Sequence, residues 1–526
     1  MSLRIKSFKQ AAFWSTAINA FSQGLALLFS ILMAKYFGAQ ESTDILYFCL
    51  GIFVLLGGLL QVVNVSVLIP ETMRRRHQVS EQDAMAFINR FFAVFVLMIG
   101  AVTVLSLSNP VLALSAISRF DIAAVERNMR LAQWLLLSFP LQMTAQLLLD
   151  ILVSYKFLML PALLSCVNRL INILFVVVFY RRFGVVSVAM GMVVGFSLQV
   201  ALNAFLLRRK IHWKLSAWRT RITRQTYWNI LWVELGTLSG VLASYLPIYL
   251  FSGFAAGVVT ILNYARRMSL MPVELLTVQV SSVIAVKFNE QAAMRNFAGM
   301  GKSFGWLQRQ QIFFLTPLAF LLGIAGYPII SLLYGHGAFD ANAVAQTARL
   351  FSVLMLMLPF LSVDNAVARL FVAHQEVALG TRYQVMGSIL NAVLIFIFVK
   401  WKGTMGFAVA MLLTRLLYLL ILSAIFSKRF RPITLWPTTR SILLTFAYCG
   451  VLACGALWLA SSPFFVTLAA SWRGVLAAGI FIAGYLASLV VCPPDRLARN
   501  EAITLGVELW ARIRHIHSKW TETVPS

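Results

Sequence analysis

Apolar runs of roughly 20 residues recur from one end of this 526-residue chain to the other, each long enough for a helix to cross a hydrocarbon core of about 30 Å. No interval between them could house a separate soluble domain, so the main solvent must be lipid. Composition agrees: 60% of the residues are hydrophobic and 12% are charged, against about 25% charge in an ordinary soluble chain. The runs are continuous and do not alternate over about ten residues. They therefore suit helices, which satisfy their own backbone groups in lipid, and not barrel strands.

Fourteen spans can be read, at about 11–37, 45–70, 91–113, 131–154, 161–180, 185–207, 230–253, 256–286, 310–335, 345–372, 380–400, 404–426, 441–461 and 473–493. The expected fold is an all-α polytopic membrane protein with about 14 transmembrane helices. The first run follows Arg4, Lys6 and Lys9, yet it far exceeds a signal-peptide core of about 7–15 residues and has no small-residue cleavage site after it. It counts as a span.

The net charge of +26 raises the question of nucleic acid. With the N-terminus inside, most of the 44 Lys and Arg fall in cytoplasmic segments, as the positive-inside rule requires. The densest cluster, Arg208, Arg209, Lys210, Lys214, Arg219, Arg221 and Arg224, joins the sixth and seventh spans. It reads as a topology signal touching anionic lipid, and no nucleic-acid partner is expected. The expected location is a bacterial inner membrane, multi-pass, with both termini cytoplasmic. Cys49, Cys166, Cys449, Cys454 and Cys492 include no C-x-x-C pair and read as small core hydrophobes. No histidine falls inside a span and no H-E-x-x-H occurs, so neither a metal nor a cofactor is expected.

The chain is internally duplicated. A shift of 219 places Phe120, Asp121, Ala124, Val125, Arg130 and Leu131 on Phe339, Asp340, Ala343, Val344, Arg349 and Leu350, and likewise Pro140 on Pro359, Asn172 on Asn391 and Gly184 on Gly403. A shift of 217 places Ala39, Thr43 and Tyr47 on Ala256, Thr260 and Tyr264. The unit is six spans, and an even number returns the chain to its starting side. The copies must then share one orientation, related by a pseudo-two-fold axis along the membrane normal, which is a transporter architecture. The expected organisation is an N-lobe over 1–210, a basic linker over 211–229, a C-lobe over 230–427, a second linker over 428–440, a helix pair over 441–493 and a cytoplasmic amphipathic tail over 494–526. The tail segment 501–520 carries apolar residues at helical spacing with Arg512, Arg514 and Lys519 nearby.

Polar residues inside spans locate the expected cavity, because a charge at a helix centre costs about 2.5–3.5 kcal/mol on insertion scales. Ser15, Asn19, Ser22, Gln23 and Ser30 fall close to one face of the first span. The same residues could serve only to bond helices together. The eighth span is more informative, with Asn263, Arg266, Arg267, Ser269 and Glu274 in NYARRMSLMPVELL. Arg267 and Glu274 are spaced to share a face, and Pro272 should loosen the helix by removing a backbone donor. Either Arg267 and Glu274 form a structural pair, or the arginines make a cationic patch for an anionic group; guanidinium forks suit phosphate oxygens. Asp150, Arg169, Glu234, Asp364, Arg369 and Arg415 are further ionisable groups in the spans.

Enzyme signatures are missing. FAGMGKS at 297–303 resembles the end of a phosphate-binding loop, but Asn296 stands where the first glycine is required. There is no G-x-S-x-G, no nucleotide-hydrolysing domain and no extramembrane loop large enough for a catalytic site. The chain is expected not to be an enzyme, and its energy to come from the membrane potential, a monovalent-ion gradient or downhill substrate flow.

Three segments carry a family resemblance: AKYFGAQESTD at 34–44, NYARRMSLMP at 263–272 and LLYGHGAFDANAVAQTARLF at 332–351. On these, and over essentially its whole length, the chain resembles the MurJ/MviN lipid II flippases of the multidrug/oligosaccharidyl-lipid/polysaccharide exporter superfamily. The resemblance implies two parallel six-helix lobes, a last helix pair forming a groove for a polyprenyl tail, and functional roles for Asp44 and Arg267. Departures are visible too. Arg266 stands where the family has Asp, Gln23 and Phe29 where it has first-span arginines, and the stretch near Leu56 and Gly57 is apolar.

The implied activity is translocation of lipid II from the cytoplasmic to the periplasmic leaflet by alternating access. The expected cavity residues are Arg267, Arg266, Glu274, Asn263, Asp44, Asn19 and Gln23. The expected partners are the lipid-linked glycan, membrane lipids and a monovalent coupling ion, with the chain acting as a monomer. Two alternatives stay open: a flippase for an exopolysaccharide or O-antigen repeat unit, and a drug exporter of the same superfamily, against which the cationic Arg266–Arg267 patch argues. A membrane glycosyltransferase would need the catalytic loop that is missing.

Overall fold

The computed structural model describes residues 8–155, 160–214, 224–429, 435–465 and 468–491, together with residue 500. All regular structure among them is helical. The expected amphipathic tail at 501–520 and parts of the linkers at 211–229 and 428–440 lie outside the described residues.

The chain packs as two compact units, the first comprising Met1–Tyr264, Leu333–Val344 and Ser388–Val399, the second Ala265–Leu332, Ala345–Gly387 and Lys400–Ser526. The first unit begins with α1 (Phe8–Phe37) and α2 (Glu41–Val63), which runs into a π-helical segment, Asn64–Leu68, and then α3 (Ile69–Gln78). There follow α4 (Glu81–Ser108), the short α5 (Pro110–Ile117) and α6 (Ile122–Arg127), then α7 (Met129–Ser154), α8 (Leu160–Phe183), α9 (Val186–Ile211) and α10 (Arg224–Phe251). The first residues of α11 (Val258–Pro272), together with Leu333–Val344 and Ser388–Val399, complete it. Within this unit α7 packs along α9 and against α4, α2 and α3, while α1 packs on α8 and α2 on α10.

Local signals set several boundaries. Ser80 caps α4 by accepting from the Asp83 backbone N–H at 3.0 Å, and Asn109 does the same for α5 from Leu112, with Pro110 in the first turn where its missing N–H costs nothing. The α3–α4 corner is tied by Arg75, which bridges Glu71 at 2.7 Å and Asp83 at 3.0 Å. A hydrogen bond from Arg74, joined by one from Arg75, holds the Glu71 carboxyl below the ordinary glutamate range.

The rest of α11 opens the second unit and passes into another π-helical segment, Val273–Val278, and α12 (Gln279–Ala293). Pro272 lacks the backbone donor an α-helix would use there, and the wider π bonding begins at the next residue. Next come α13 (Phe297–Ile324), α14 (Gly326–Tyr334), α15 (Ala341–Met355), α16 (Leu358–Ala373), α17 (Val377–Arg429), α18 (Trp436–Ala460) and α19 (Ala470–Val491). Asn296 caps α13 through Gly299, so the segment resembling a phosphate loop is an ordinary helix start. Phe304, Phe360 and Phe371 are among the core side chains gathered around α12, α13 and α16. α18 and α19 pack on α13 through Phe320, Cys449, Phe481 and Tyr485, whose hydroxyl donates to the Phe313 carbonyl at 3.2 Å.

Nine described helices are long and apolar enough to cross a membrane, or eleven when two bent pairs, α13 with α14 and α15 with α16, each count as one span. The 48-residue apolar stretch of α17 turns at Gly403, whose backbone leaves the helix at φ +57°, ψ −132°. Its repeat mate Gly184 turns the chain between α8 and α9 at φ +55°. Only glycine enters this left-handed region at no steric cost, so the same residue ends the same span in both repeats. The fold is consistent with fourteen spans.

Candidate functional site

Two turns and a helix start converge in the first unit. The α1–α2 turn at 38–40 brings Thr43 and Asp44 against the N-terminus of α11. Asp44, 3% exposed, accepts from the backbone N–H groups of Gly257 at 2.6 Å and Thr260 at 2.8 Å, and from the Thr260 hydroxyl at 2.6 Å. A helix N-terminus leaves backbone donors without intrahelical partners and carries partial positive charge, so a carboxylate there is doubly favoured. The cap comes from a residue 213 positions away from Gly257.

The same junction holds the repeat mates against each other. The hydroxyls of Thr43 and Thr260 lie 3.0 Å apart, and the Tyr47 hydroxyl donates to that of Tyr264 at 3.2 Å. Residues related by a two-fold rotation can touch only where the axis passes. These contacts therefore mark the pseudo-axis inferred from the 217-residue shift. Tyr264 stacks on Tyr334 at 4.7 Å between ring centroids, and the Tyr334 hydroxyl lies 3.0 Å from that of Ser30 on α1. Phe339 packs edge-on against Tyr264, and the Ala338 N–H donates to the Lys35 carbonyl at 2.9 Å.

Backbone approach here is too close for side chains. A Cβ on Gly257, at φ +93°, would lie 2.8 Å from the Ala39 carbonyl oxygen, and one on Gly38 would lie 2.2 Å from that of Ala338. Gly257→Ala should cost about 1–3 kcal/mol, the usual range for a residue forced into a sparsely populated backbone region. A lowered midpoint of thermal unfolding in detergent checks this. An unchanged midpoint would mean that the turns do not meet as described.

In the second unit, Arg266 and Arg267 stand near the middle of their span, about 13 Å along α11 from its first residue. Both are half-buried, and neither pairs with a carboxylate among the described residues. Glu274 is exposed at the start of the π segment. Asp364 and Arg415 do pair, at 2.7 Å. A guanidinium pair held unpaired inside a span is costly unless an anion joins it, which makes α11 a phosphate-binding candidate.

A family model described as lipid II flippase MurJ matches residues 33–476. The chain belongs to that family. A protein of Aquifex aeolicus described as a probable lipid II flippase MurJ is 23% identical over 267 residues, 50% of this chain and 52% of that relative, so the match spans about half the relative's length. One of Borreliella burgdorferi with the same description is 21% identical over 76% of this chain and 79% of its own. Among solved structures, a lipid II flippase MurJ in an inward closed conformation shares the fold with a TM-score of 0.72 at 20% identity, covering 90% of this chain and 99% of its own. An inward-facing multidrug resistance transporter described as of the MATE family of the MOP superfamily superimposes with a TM-score of 0.64 at 14% identity, over 78% of this chain and 96% of its own. This MurJ-family chain is thus a multi-pass membrane protein.

Of the candidate residues, Asn19, Gln23, Asp44 and Asn263 belong to the first unit and Arg266, Arg267 and Glu274 to the second. Asp44 belongs to the axial junction, with both oxygens engaged by α11. Asn263 is half-buried one residue before Tyr264 in the same helix, and Gln23 is half-buried on α1. The side chain of Asn19 lies outside the described residues, as does that of Glu234. Arg169 on α8 donates to the Ser22 carbonyl of α1, a helix-bonding role. Sequence reasoning missed Tyr334 and Phe339 as parts of the junction. Phe339 is the repeat mate of Phe120, but Tyr334 falls on Ser115, so the repeat carried no signal for Tyr334.

Proposed function

We propose that this MurJ-family protein moves lipid II from the cytoplasmic to the periplasmic leaflet by alternating access, with the diphosphate held by Arg267 and Arg266. Family membership supplies the substrate class. The arginines on α11, without a carboxylate partner among the described residues, are the observation in this chain that carries the reading, because a diphosphate would supply negative charge beside them. The two lobes, 1–210 and 230–427, would expose the substrate site alternately to each side, and the Asp44 junction would fasten and release one of these states.

With the N-terminus cytoplasmic, the α1–α2 turn is periplasmic, and so is the junction. Loops near residues 80, 218, 295 and 434 are then inside, those near 120 and 340 outside. Alkaline phosphatase fused after residue 218 should be inactive and after residue 120 active. Activity at 218 would reverse the orientation.

The activity is tested with purified protein in proteoliposomes carrying fluorescent lipid II, by following the fraction open to an impermeant quencher as label crosses. Equilibration between leaflets that needs the protein is expected. Movement of another polyprenyl-diphosphate glycan but not of lipid II would favour the exopolysaccharide or O-antigen alternative, to which the departures at Arg266 and Gln23 point.

A further inference from the structure

The duplication pairs more than the residues on the pseudo-axis. Shifts of 219 and 217 place Arg119 on Ala338 and Lys35 on Ser252. Both combinations are joined in the first unit: the Ala338 N–H donates to the Lys35 carbonyl at 2.9 Å, and the Arg119 N–H donates to the Ser252 hydroxyl at 2.8 Å. Each loop thus lies as a strap across the end of a helix, residues 117–120 on α10 and residues 337–340 on α1. With the N-terminus cytoplasmic, both straps lie on the periplasmic face with the Asp44 junction.

The two are chemically unequal. The strap on α1 is bonded backbone to backbone, to one of the terminal carbonyls that an α-helix leaves without an intrahelical donor. Gly38 at φ +65° and Gly337 at φ +73° interlock there, a Cβ on Gly38 striking the Ala338 carbonyl and one on Gly337 striking the Lys35 carbonyl. Tyr334 and Phe339, both buried, pack ring against ring beside it.

The repeat mates of the interlocking glycines are Ala255 and Ser118, so the strap on α10 is held by other means. Its fastenings are side-chain hydroxyls. That of Ser252 accepts from Arg119 and donates to the Tyr249 carbonyl at 2.8 Å, and that of Tyr245 donates to the Ile117 carbonyl. Ile117 and Arg119 are exposed, and Phe120 is half-buried, edge-on to Phe48 at 5.3 Å between ring centroids.

Segments with exposed bonds and few buried apolar contacts open at lower free energy than buried backbone does. A hydroxyl can also turn away by rotating one side chain, whereas the glycine interlock parts only when α1 and the 337–340 segment separate as wholes. We propose that the periplasmic closure releases unequally: the 117–120 strap lifts from α10 to open the exit, while the 337–340 strap stays on α1 as the pivot. The unequal release rests on these contacts; its part in transport rests on the flippase reading.

Hydrogen exchange in the full chain purified in detergent, read at single amides by fragmentation mass spectrometry, tests the release. The Arg119 amide should exchange at least about tenfold faster than the Ala338 amide once intrinsic rates are divided out. Ser252→Ala removes the acceptor and should quicken Arg119 by roughly another tenfold while leaving Ala338 as it was. Tyr245→Phe, which removes only the bond to Ile117, should act in the same direction and decides alone if Ser252→Ala is not recovered folded. Equal rates at the two amides, or variants that quicken both together, would show that the straps part as one and overturn the proposal. Proteoliposomes test the link to transport. Cross-linking Arg119→Cys to Ser252→Cys should stop lipid II movement, whereas cross-linking Lys35→Cys to Ala338→Cys should leave its rate within about twofold. A block by both cross-links would remove the pivot. If neither variant moves any lipid-linked glycan before cross-linking, the flippase reading falls, and the exchange rates still decide the straps.

Discussion

Replacing Arg267 with alanine is expected to lower lipid II transport at least about a hundredfold while leaving membrane insertion and the amount of protein intact. Truncating one member of a buried, hydrogen-bonded charge pair costs about 2–5 kcal/mol, and each 1.4 kcal/mol is tenfold. Arg267 has no protein carboxylate to lose among the described residues, so the substitution should not unfold the chain. Neighbouring residues on a helix point about 100° apart, so Arg266 cannot simply take over its place. Arg267→Lys keeps the charge but not the two-pronged contact with phosphate oxygens, and should retain about a tenth of the activity. Initial rates in proteoliposomes check both variants, and full activity of the alanine variant would move the diphosphate site elsewhere.

Asp44→Ala should be nearly as damaging, for a different reason. The substitution strips two buried backbone N–H groups, of Gly257 and Thr260, of their acceptor. Each buried donor left unsatisfied costs about 1–3 kcal/mol. A loss of that size shifts a two-state equilibrium by one to several powers of ten away from the fastened state. Cysteines placed at Ala39 and Ala256 and cross-linked in membranes would report it, with efficient linkage in an otherwise wild-type background and little in the Asp44→Ala variant. Asp44→Asn can satisfy one donor but not both, and should fall between. Equal cross-linking in all three would show that Asp44 does not hold the junction.

The spans and the repeat were legible because lipid imposes a long, continuous apolar period and because duplication leaves identities at constant shift. The same uniformity hid the π segments. An inserted residue changes the register of a polar stripe, but in an apolar span there is little stripe to disturb, and only Pro272 announced one of the two. Thr43 with Thr260 and Tyr47 with Tyr264 were visible as repeat mates. That they touch was not, since sequence identity is silent about where a symmetry axis runs. Asp44 stood out through the family pattern as a candidate for the substrate cavity, but its binding of the α11 N-terminus depends on a fold contact across more than 200 residues. Asp150 was legible as a charge needing a partner, and the partners are the amides of Asn64 and Gln146, which no rule of charge pairing would have selected. Arg415 and Asp364, by contrast, satisfied that rule within one unit.

Depletion of the protein in living cells, followed by identification of the lipid-linked intermediate that accumulates, tests the central claim most directly. Lipid II is expected to build up and to remain on the cytoplasmic side, out of reach of an externally added enzyme that cleaves it only in the periplasmic leaflet. The account is contradicted if the lipid II pool and its accessibility stay unchanged, and most sharply if a different polyprenyl-linked glycan accumulates in its place.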